Sequence, residues 1–258
     1  NPDVLLLVSV LGLVPDMNRI CELCKLYDVI LLEDTCESMG SKYDNKKLGS
    51  FGLMSSFSTY FGHHMSTIEG GLVSTNDEEL YEILKCIRSH GWDRDSSSEY
   101  SKQLRNKWNT SDFDSLYTFY HSGFNLRSTD LQAFIGIGQI DKLDNICEKR
   151  YDNFKIYQAE LKGFRPFIES NGYTSNFAYP VISEHRDEIV YELQEANIEV
   201  RPMICGSMGT QPFYVKQYGR KELPNASIID KFGMYIPNNP DLSKDDILTI
   251  TNIIKKYQ

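Results

Sequence analysis

Positive charge and long apolar runs are both scarce in this sequence. Its 258 residues carry 27 Lys and Arg against 36 Asp and Glu, a net charge of −9, so the polyanion of a nucleic acid is a poor partner. The apolar run from Val4 to Val14 is too short to span a bilayer, and no basic segment of a signal peptide opens the chain. These absences predict a cytoplasmic protein without a membrane or nucleic-acid partner.

The cysteines lack the spacing of a metal centre. Cys21 and Cys24 form a C-x-x-C pair, but no second Cys/His pair lies at a distance typical of zinc sites. The closely spaced C-x-C that would indicate an iron–sulfur site is also missing. We therefore predict no metal site, and we expect the cysteines to be reduced and structural. The six are Cys21, Cys24, Cys36, Cys86, Cys147 and Cys205.

Two apolar segments in the first forty residues predict a strand–helix–strand unit. Val4–Val10 and Val29–Leu32 read as buried strands, and Asp16 or Asn18 can cap a helix between them that runs to about Tyr27. This order predicts parallel strands with a right-handed crossover. Further strands are expected at 54–60 and 71–75. The fold class is therefore α/β with a mixed, mostly parallel sheet.

The second half of the chain predicts longer helices and then a smaller domain. Asn76 is expected to cap a helix that ends near His90-Gly91, and the polar stretch 93–114 predicts a long loop. Residues 130–150 predict a helix with an apolar face. From about Tyr151 the elements become shorter, so we predict a large domain over 1–150 and a small α+β domain over 151–258. The expected later elements are strands at 177–182 and 198–202 and helices at 187–197 and 244–257.

Candidate functional residues follow the second predicted strand. Asp34 ends that strand, where α/β sheets place ligands, although a turn-capping role is equally open from the sequence alone. Glu37 lies three residues later and could equally be a solvated turn residue. Ser58 precedes His63 by five residues within Ser58–Gly71, and His64 follows directly. A histidine titrating near neutral pH can take and return a proton, so we predict that His63 is a general base.

Several segments together resemble a known family. The stretch Ser58–Gly71 resembles the Schiff-base lysine loop of the DegT/DnrJ/EryC1/StrS sugar aminotransferases, which are PLP enzymes of fold type I, with His63 in the place of the lysine. Such a histidine is typical of the nucleotide-sugar 3-dehydratases of that family. The resemblance continues in Tyr120–Arg127, Gln132–Gly136, Gln139–Leu143, Val200–Met203, Gln211–Phe213 and Leu223–Ala226.

The resemblance implies a cofactor and a role for each candidate. The cofactor is PLP or PMP, with Asp34 on the pyridine nitrogen, Glu37 near the ring hydroxyl and Ser58 on the phosphate. Asn125 is implied to reach the phosphate bound by the neighbouring subunit, which predicts a homodimer. The implied substrate is a nucleotide-linked 4-keto-6-deoxy sugar, GDP-linked in the branch without an iron–sulfur cluster. Glutamate is the implied amino donor, and the pathway is deoxysugar biosynthesis for lipopolysaccharide O-antigen.

Two alternatives stay open at this point. The chain could be a sugar aminotransferase relative that has lost its lysine, or a non-catalytic fragment of the family. The family's N-terminal phosphate loop and its ring-stacking aromatic residue have no counterpart in this sequence. We therefore expect a truncated or split protein.

Overall fold

The chain alternates short strands with helices, and a computed structural model describes its residues 2–164 and 172–258. Within these residues the strands are β1 (Val4–Val8), β2 (Ile30–Asp34), β3 (Lys42–Tyr43), β4 (Lys46–Lys47), β5 (Met54–Ser58), β6 (Gly71–Thr75), β7 (Gly172–Tyr173), β8 (Ala178–Ile182), β9 (Arg201–Pro202) and β10 (Gly233–Pro237). The helices are α1 (Met17–Tyr27), α2 (Glu78–Ile87), α3 (Ser98–Trp108), α4 (Asp130–Glu160), α5 (Arg186–Glu195), α6 (Pro212–Tyr218), α7 (Pro224–Phe232) and α8 (Lys244–Lys255).

The larger sheet has the order β1-β2-β5-β6 in the described part of the chain. β1 pairs in parallel with β2 and β2 with β5, while β6 is antiparallel to β5. α1 connects β1 to β2, and its first turn is capped by Asp16, whose side chain accepts a hydrogen bond from the Arg19 amide. The order strand–helix–strand is confirmed, but the expectation that β1 is buried is wrong for the single chain, because Val4, Leu6 and Val8 are exposed. Parallel strands end at one edge of a sheet, and that edge carries Asp34 and Ser58.

A second layer is built on an antiparallel sheet of order β8-β10-β9. Its apolar side packs against the second half of α4, α5 and α8. This packing forms the largest buried cluster in the described residues, with Tyr157, Leu161, Val181, Ile189, Leu193, Met234, Ile236, Ile247 and Ile254 almost fully enclosed. A strand pair connects the two layers. β3 follows β2 of the larger sheet in the chain and pairs with β7, and β7 precedes β8 of the second sheet.

One long helix runs through both halves of the chain. α4 begins with a capping box, in which Thr129 and Gln132 exchange side-chain to backbone hydrogen bonds. It continues to Glu160, ten residues beyond the predicted helix, so the expected boundary at 150/151 falls inside it. The two-domain division stays a prediction, and residues 165–171 of its second part lie outside the described residues. None of the described helices is long and apolar enough to cross a membrane.

The predicted loop over 93–114 is wrong, because α3 occupies its centre. Ser97 caps this helix by accepting a hydrogen bond from the Tyr100 amide. Leu104 is buried, and Arg105 pairs at 3.0 Å with the enclosed carboxylate of Asp93. The helix is thus attached to the rest of the chain by the buried Leu104 and by the ion pairs of Arg105 with Asp93 and Asp112, which lie outside the helix. Its polar composition gave no apolar periodicity to identify it.

Two boundaries also differ from the sequence expectation. The cap of α2 is Asp77 and not Asn76, because the Asp77 carboxylate accepts a 2.8 Å hydrogen bond from the Leu80 amide. The strand expected over 198–202 is reduced to β9. Its neighbour β10 offers partners only at Met234 and Tyr235.

Candidate functional site

The carboxyl edge of the larger sheet carries the first candidates. Asp34 lies opposite Ser56 in the β2–β5 register. The Cys36 amide donates a 3.1 Å hydrogen bond to Asp34 Oδ1, which fixes the carboxylate at the turn after β2. Ser58 ends β5, and its hydroxyl accepts a hydrogen bond from the Tyr60 amide at 3.2 Å. The turn-capping role left open for Asp34 is present, and it orients the side chain beyond the strand end.

His63 is held through one ring nitrogen, and the other has no hydrogen-bond partner among the described residues. Its Nδ1 lies 2.8 Å from the carbonyl oxygen of Cys36. A carbonyl can only accept, so Nδ1 carries the proton and the lone pair is on Nε2. The ring packs 5.0 Å from the ring of Phe177. Burial lowers the pKa of His63 below its usual value, so the neutral imidazole predominates at neutral pH. This is the form that a general base requires.

His64 has a different environment from its neighbour. It is 2% exposed, and its Nε2 lies 2.9 Å from the carbonyl oxygen and 3.0 Å from the hydroxyl of Ser175. Burial first, and then the nearby charge of Arg150, lower the pKa of His64 to about 3. The residue therefore stays neutral and ties the loop to the segment before β8. Its contacts are those of a supporting group.

The loop around the two histidines is fixed at its base. The hydroxyls of Thr59 and Thr67 are 2.7 Å apart. Gln132, in the first turn of α4, donates to the Glu69 carbonyl at 2.6 Å. Gly70 has a φ of +152°, and an added Cβ would lie 2.6 Å from both threonine hydroxyls. A side chain at position 70 would therefore collide with the base of the loop, and this explains the glycine there.

A cavity of about 390 Å³ opens beside His63. Among the described residues its lining includes no lysine, so no primary amine faces the space next to the histidine. Glu37 lies in its wall and accepts a hydrogen bond from the Leu11 amide. Burial raises the pKa of Glu37, and the nearby charge of Asp34 adds to this shift. The lining residues are Glu37, Tyr60, Phe61, Gly62, His63, Arg150, Phe177, Ala178, Glu199, Arg201, Ile204, Tyr235, Pro237, Asn238 and Asn239.

The structure brings most, but not all, of the predicted site together. Glu37 and His63 share the cavity, and Asp34 lies close enough for its charge to act on both. Ser58 is on the adjoining strand end but outside the cavity lining. Asn125 lies elsewhere, exposed, in a bridge with Ser89. Within one protomer Asn125 therefore does not reach the site, and its role stays a prediction that requires a second copy.

Two buried charged residues were missed by the sequence reasoning. Arg150 is 4% exposed on α4 and donates through Nη1 to the carbonyls of Asn176, Phe177 and Asn238. Glu33 is 2% exposed and accepts three backbone hydrogen bonds of 2.7 Å from the turn at 49–52. Glu33 is fully engaged in holding that turn, whereas Arg150 lines the cavity. No cluster of His, Cys, Asp and Glu suited to a metal ion occurs in the described part of the chain.

The comparisons with known proteins agree on one family. The model of the DegT/DnrJ/EryC1/StrS aminotransferase family matches residues 3–255. GDP-4-keto-6-deoxy-D-mannose 3-dehydratase of Yersinia pseudotuberculosis is 35% identical over 98% of this chain and 66% of its own length. The chain thus spans about two thirds of the length of that relative. GDP-perosamine synthase of Vibrio cholerae is 28% identical over 97% of this chain and 65% of its own length.

A solved structure extends the likeness to three dimensions. It is that of a GDP-4-keto-6-deoxymannose-3-dehydratase with a trapped PLP-glutamate geminal diamine. It superposes with a TM-score of 0.86 at 32% identity, over 98% of this chain and 67% of the other. The predicted fold type I architecture is confirmed by this match.

Proposed function

Because this chain belongs to the DegT/DnrJ/EryC1/StrS aminotransferase family, we propose that it acts as a PLP/PMP-dependent nucleotide-sugar 3-dehydratase. One observation carries the proposal. The cavity holds His63 with a free Nε2 and, among the described residues, no lysine in its lining. A family member with this site has a base beside the cofactor and no amine to hold the cofactor covalently.

The residues present fit the cofactor. Asp34, oriented by the Cys36 amide, offers a carboxylate to a protonated ring nitrogen. Ser58 on the adjacent strand end would hold the phosphate, joined by Asn125 of a second copy. When bound, the cofactor supplies an electron sink for carbanion chemistry. The protein's own part would be to hold a proton between Asp34 and that nitrogen and to supply His63 as the group that accepts a proton in the cavity.

His63 would then take a proton and return it to the departing hydroxyl. Its Nδ1 keeps its proton and donates it in the hydrogen bond to the Cys36 carbonyl, so Nε2 is the atom that exchanges a proton. Burial first, and then the charge of Arg150, disfavour the imidazolium, whereas the hydrogen bond to Cys36 and the charge of Asp34 favour it. These opposing effects keep His63 a neutral base that can still accept a proton. A positioned general base of this kind contributes about 10²–10⁴-fold to rate.

The proposed substrate is a GDP-linked 4-keto-6-deoxy sugar, and glutamate is the proposed amino donor. The first rests on the 35% identical GDP-4-keto-6-deoxy-D-mannose 3-dehydratase, and the second on the related structure that contains PLP and glutamate. The product would be a 3-deoxy-4-keto sugar. Such a product fits deoxysugar synthesis for lipopolysaccharide, and a related lipopolysaccharide biosynthesis protein is 27% identical to this chain.

A homodimer with shared sites is part of the same proposal. The first half of α4 exposes an apolar stripe in the single chain, with 66% of Leu131 and 75% of Phe134 accessible. Ile137 and Ile140 continue it along the helix. An apolar stripe of this size is typical of an interface. In such a dimer, Asn125 of one copy would lie near the cofactor site of the other copy.

Aminotransfer is the second candidate, because GDP-perosamine synthases are also similar to this chain. The test is the change His63→Lys, with His185→Lys as a matched control on an exposed histidine outside the site. In the wild type, borohydride should leave no pyridoxyl group on any lysine. In His63→Lys it should leave one at position 63, and dehydration should fall about 10²–10⁴-fold. A pyridoxyl-lysine in the wild type would favour aminotransfer and overturn the proposal.

A further inference from the structure

Arg150 is a buried cation that has no carboxylate partner within residues 2–164 and 172–258. It is 4% exposed in the second half of α4 and lines the same cavity as His63. No ion pair joins it to any acidic residue of the described chain, and burial lowers its pKa to about 10. Placing a guanidinium in such an environment is costly unless an anion compensates it. The other arginine of the cavity, Arg201, is already paired with Glu199.

The unpaired part of Arg150 is one particular edge. All its hydrogen bonds within residues 2–164 and 172–258 come from Nη1 and go to backbone carbonyls. Nε is enclosed and has no partner among those residues, and no hydrogen bond to them starts from Nη2. Nη2 therefore keeps its donors for an anion in the cavity that Arg150 lines, and a guanidinium N–H to carboxylate hydrogen bond is a strong, charge-assisted one. We propose that Arg150 binds the α-carboxylate of the amino donor.

The position of Arg150 favours this carboxylate over the other anions of the reaction. An α-carboxylate is bonded to the carbon that loses its proton, so its partner must lie next to the base. Arg150 meets this condition, since it lines the same cavity as His63 and its Nη1 lies 2.9 Å from the carbonyl of Phe177, whose ring packs 5.0 Å from the His63 ring. The diphosphate of a nucleotide sugar is separated from the reacting carbon by the sugar ring, and its partner would lie farther away. The inference rests on the proposed function, in which an amino acid regenerates PMP.

The test compares Arg150→Gln and Arg150→Lys with Arg220→Gln, a control on an exposed arginine paired with Glu222. Calorimetric titration of the PLP-loaded protein with L-glutamate should show affinity about 10- to 150-fold weaker in Arg150→Gln, the loss expected for hydrogen bonds to a charged group. Arg150→Lys should lose less, because it keeps the charge. Affinity for a GDP-linked sugar should stay within about twofold in both, as should both affinities in the control.

A second comparison isolates the α-carboxylate. L-alanine carries one and ethylamine does not, so the wild type should convert PLP to PMP faster with alanine. In Arg150→Gln this preference should vanish. An unchanged preference, or an equal loss of glutamate and sugar affinity with a lower melting temperature, would show that Arg150 only supports the wall. A loss confined to the sugar would assign it to the diphosphate. Should Arg150→Gln not fold, Arg150→Lys is used instead; it should reduce the preference for alanine without abolishing it, and an unchanged preference would overturn the inference.

If the wild type binds glutamate through Arg150 but does not dehydrate the sugar, the proposed function fails while this inference stands. If it dehydrates the sugar and shows no preference for alanine over ethylamine, the inference fails alone.

Discussion

Replacing His64 should change how the stability of the protein depends on pH. The folded protein holds this imidazole neutral, with a pKa of about 3, whereas in an unfolded chain a histidine titrates near 6.5. Below pH 6.5 the unfolded state therefore gains a proton that the folded state does not accept. The contribution of His64 to stability is complete above that pH and is lost progressively as the pH falls toward 3.

The size of the effect follows from the two pKa values. The full difference corresponds to about 5 kcal/mol, reached near pH 3, at 1.36 kcal/mol per unit of pKa. Between pH 8 and pH 5 the unfolded imidazole becomes almost fully protonated while the buried one stays neutral. Integrating the linkage over that interval gives a loss of about 2 kcal/mol for His64 alone. Because the residue is 2% exposed, solvent screening reduces this value little.

The variant His64→Gln removes this titration and keeps an amide donor for the Ser175 carbonyl. At pH 8 it should be less stable than the wild type, because a buried hydrogen bond is altered. That difference should shrink by about 2 kcal/mol by pH 5. Urea unfolding followed by the fluorescence of Trp92 and Trp108 at pH 5, 6, 7 and 8 measures it. His185→Gln, on an exposed histidine, is the control. A difference between variant and wild type that is constant over this range would refute the buried neutral state of His64.

Two further predictions concern the exposed apolar stripe of α4 and the buried carboxylate of Glu33. Phe134→Asp places a charge on the exposed apolar stripe of α4, and sedimentation should show dissociation of the proposed dimer with the secondary structure retained. A wild-type protein that is monomeric at all concentrations would contradict the dimer itself. Glu33→Gln removes the charge that accepts three backbone hydrogen bonds, and urea unfolding should show a loss of about 1.5–3 kcal/mol. An unchanged stability would mean that the turn at 49–52 does not depend on Glu33.

The parts of the fold that the sequence predicted are those with local signals. The first two strands are continuous apolar runs, and α1 begins at the side-chain cap Asp16, so each element could be recognised within its own segment. β6 was predicted with its observed bounds for the same reason. α3 was missed because its stability comes from the Arg105–Asp93 pair and from one buried leucine. Those contacts depend on the packed structure.

The site divides in the same way. Asp34, Glu37 and His63 follow strand ends or a recognisable loop, and a resemblance between short segments was enough to select them. Arg150 has no such signal, since it is one basic residue in a charged helix. Its partners lie 26 to 88 residues away along the chain. Contacts over such separations can be seen only once α4, β8 and β10 are packed together.

The two adjacent histidines show what the structure adds to a motif. A histidine side chain in an unfolded chain titrates near neutral pH, so the residue type alone does not distinguish the two. The spacing from Ser58 was the reason to assign His63 as the base. In the structure the Cys36 carbonyl accepts a hydrogen bond from Nδ1–H of His63, and the Ser175 carbonyl accepts one from Nε2–H of His64. The free nitrogen of His63 belongs to a ring in the cavity wall, whereas that of His64 is enclosed without a partner among the described residues. A base must meet its proton in the cavity, so the exposure of the two rings favours the proposed assignment of His63 over His64.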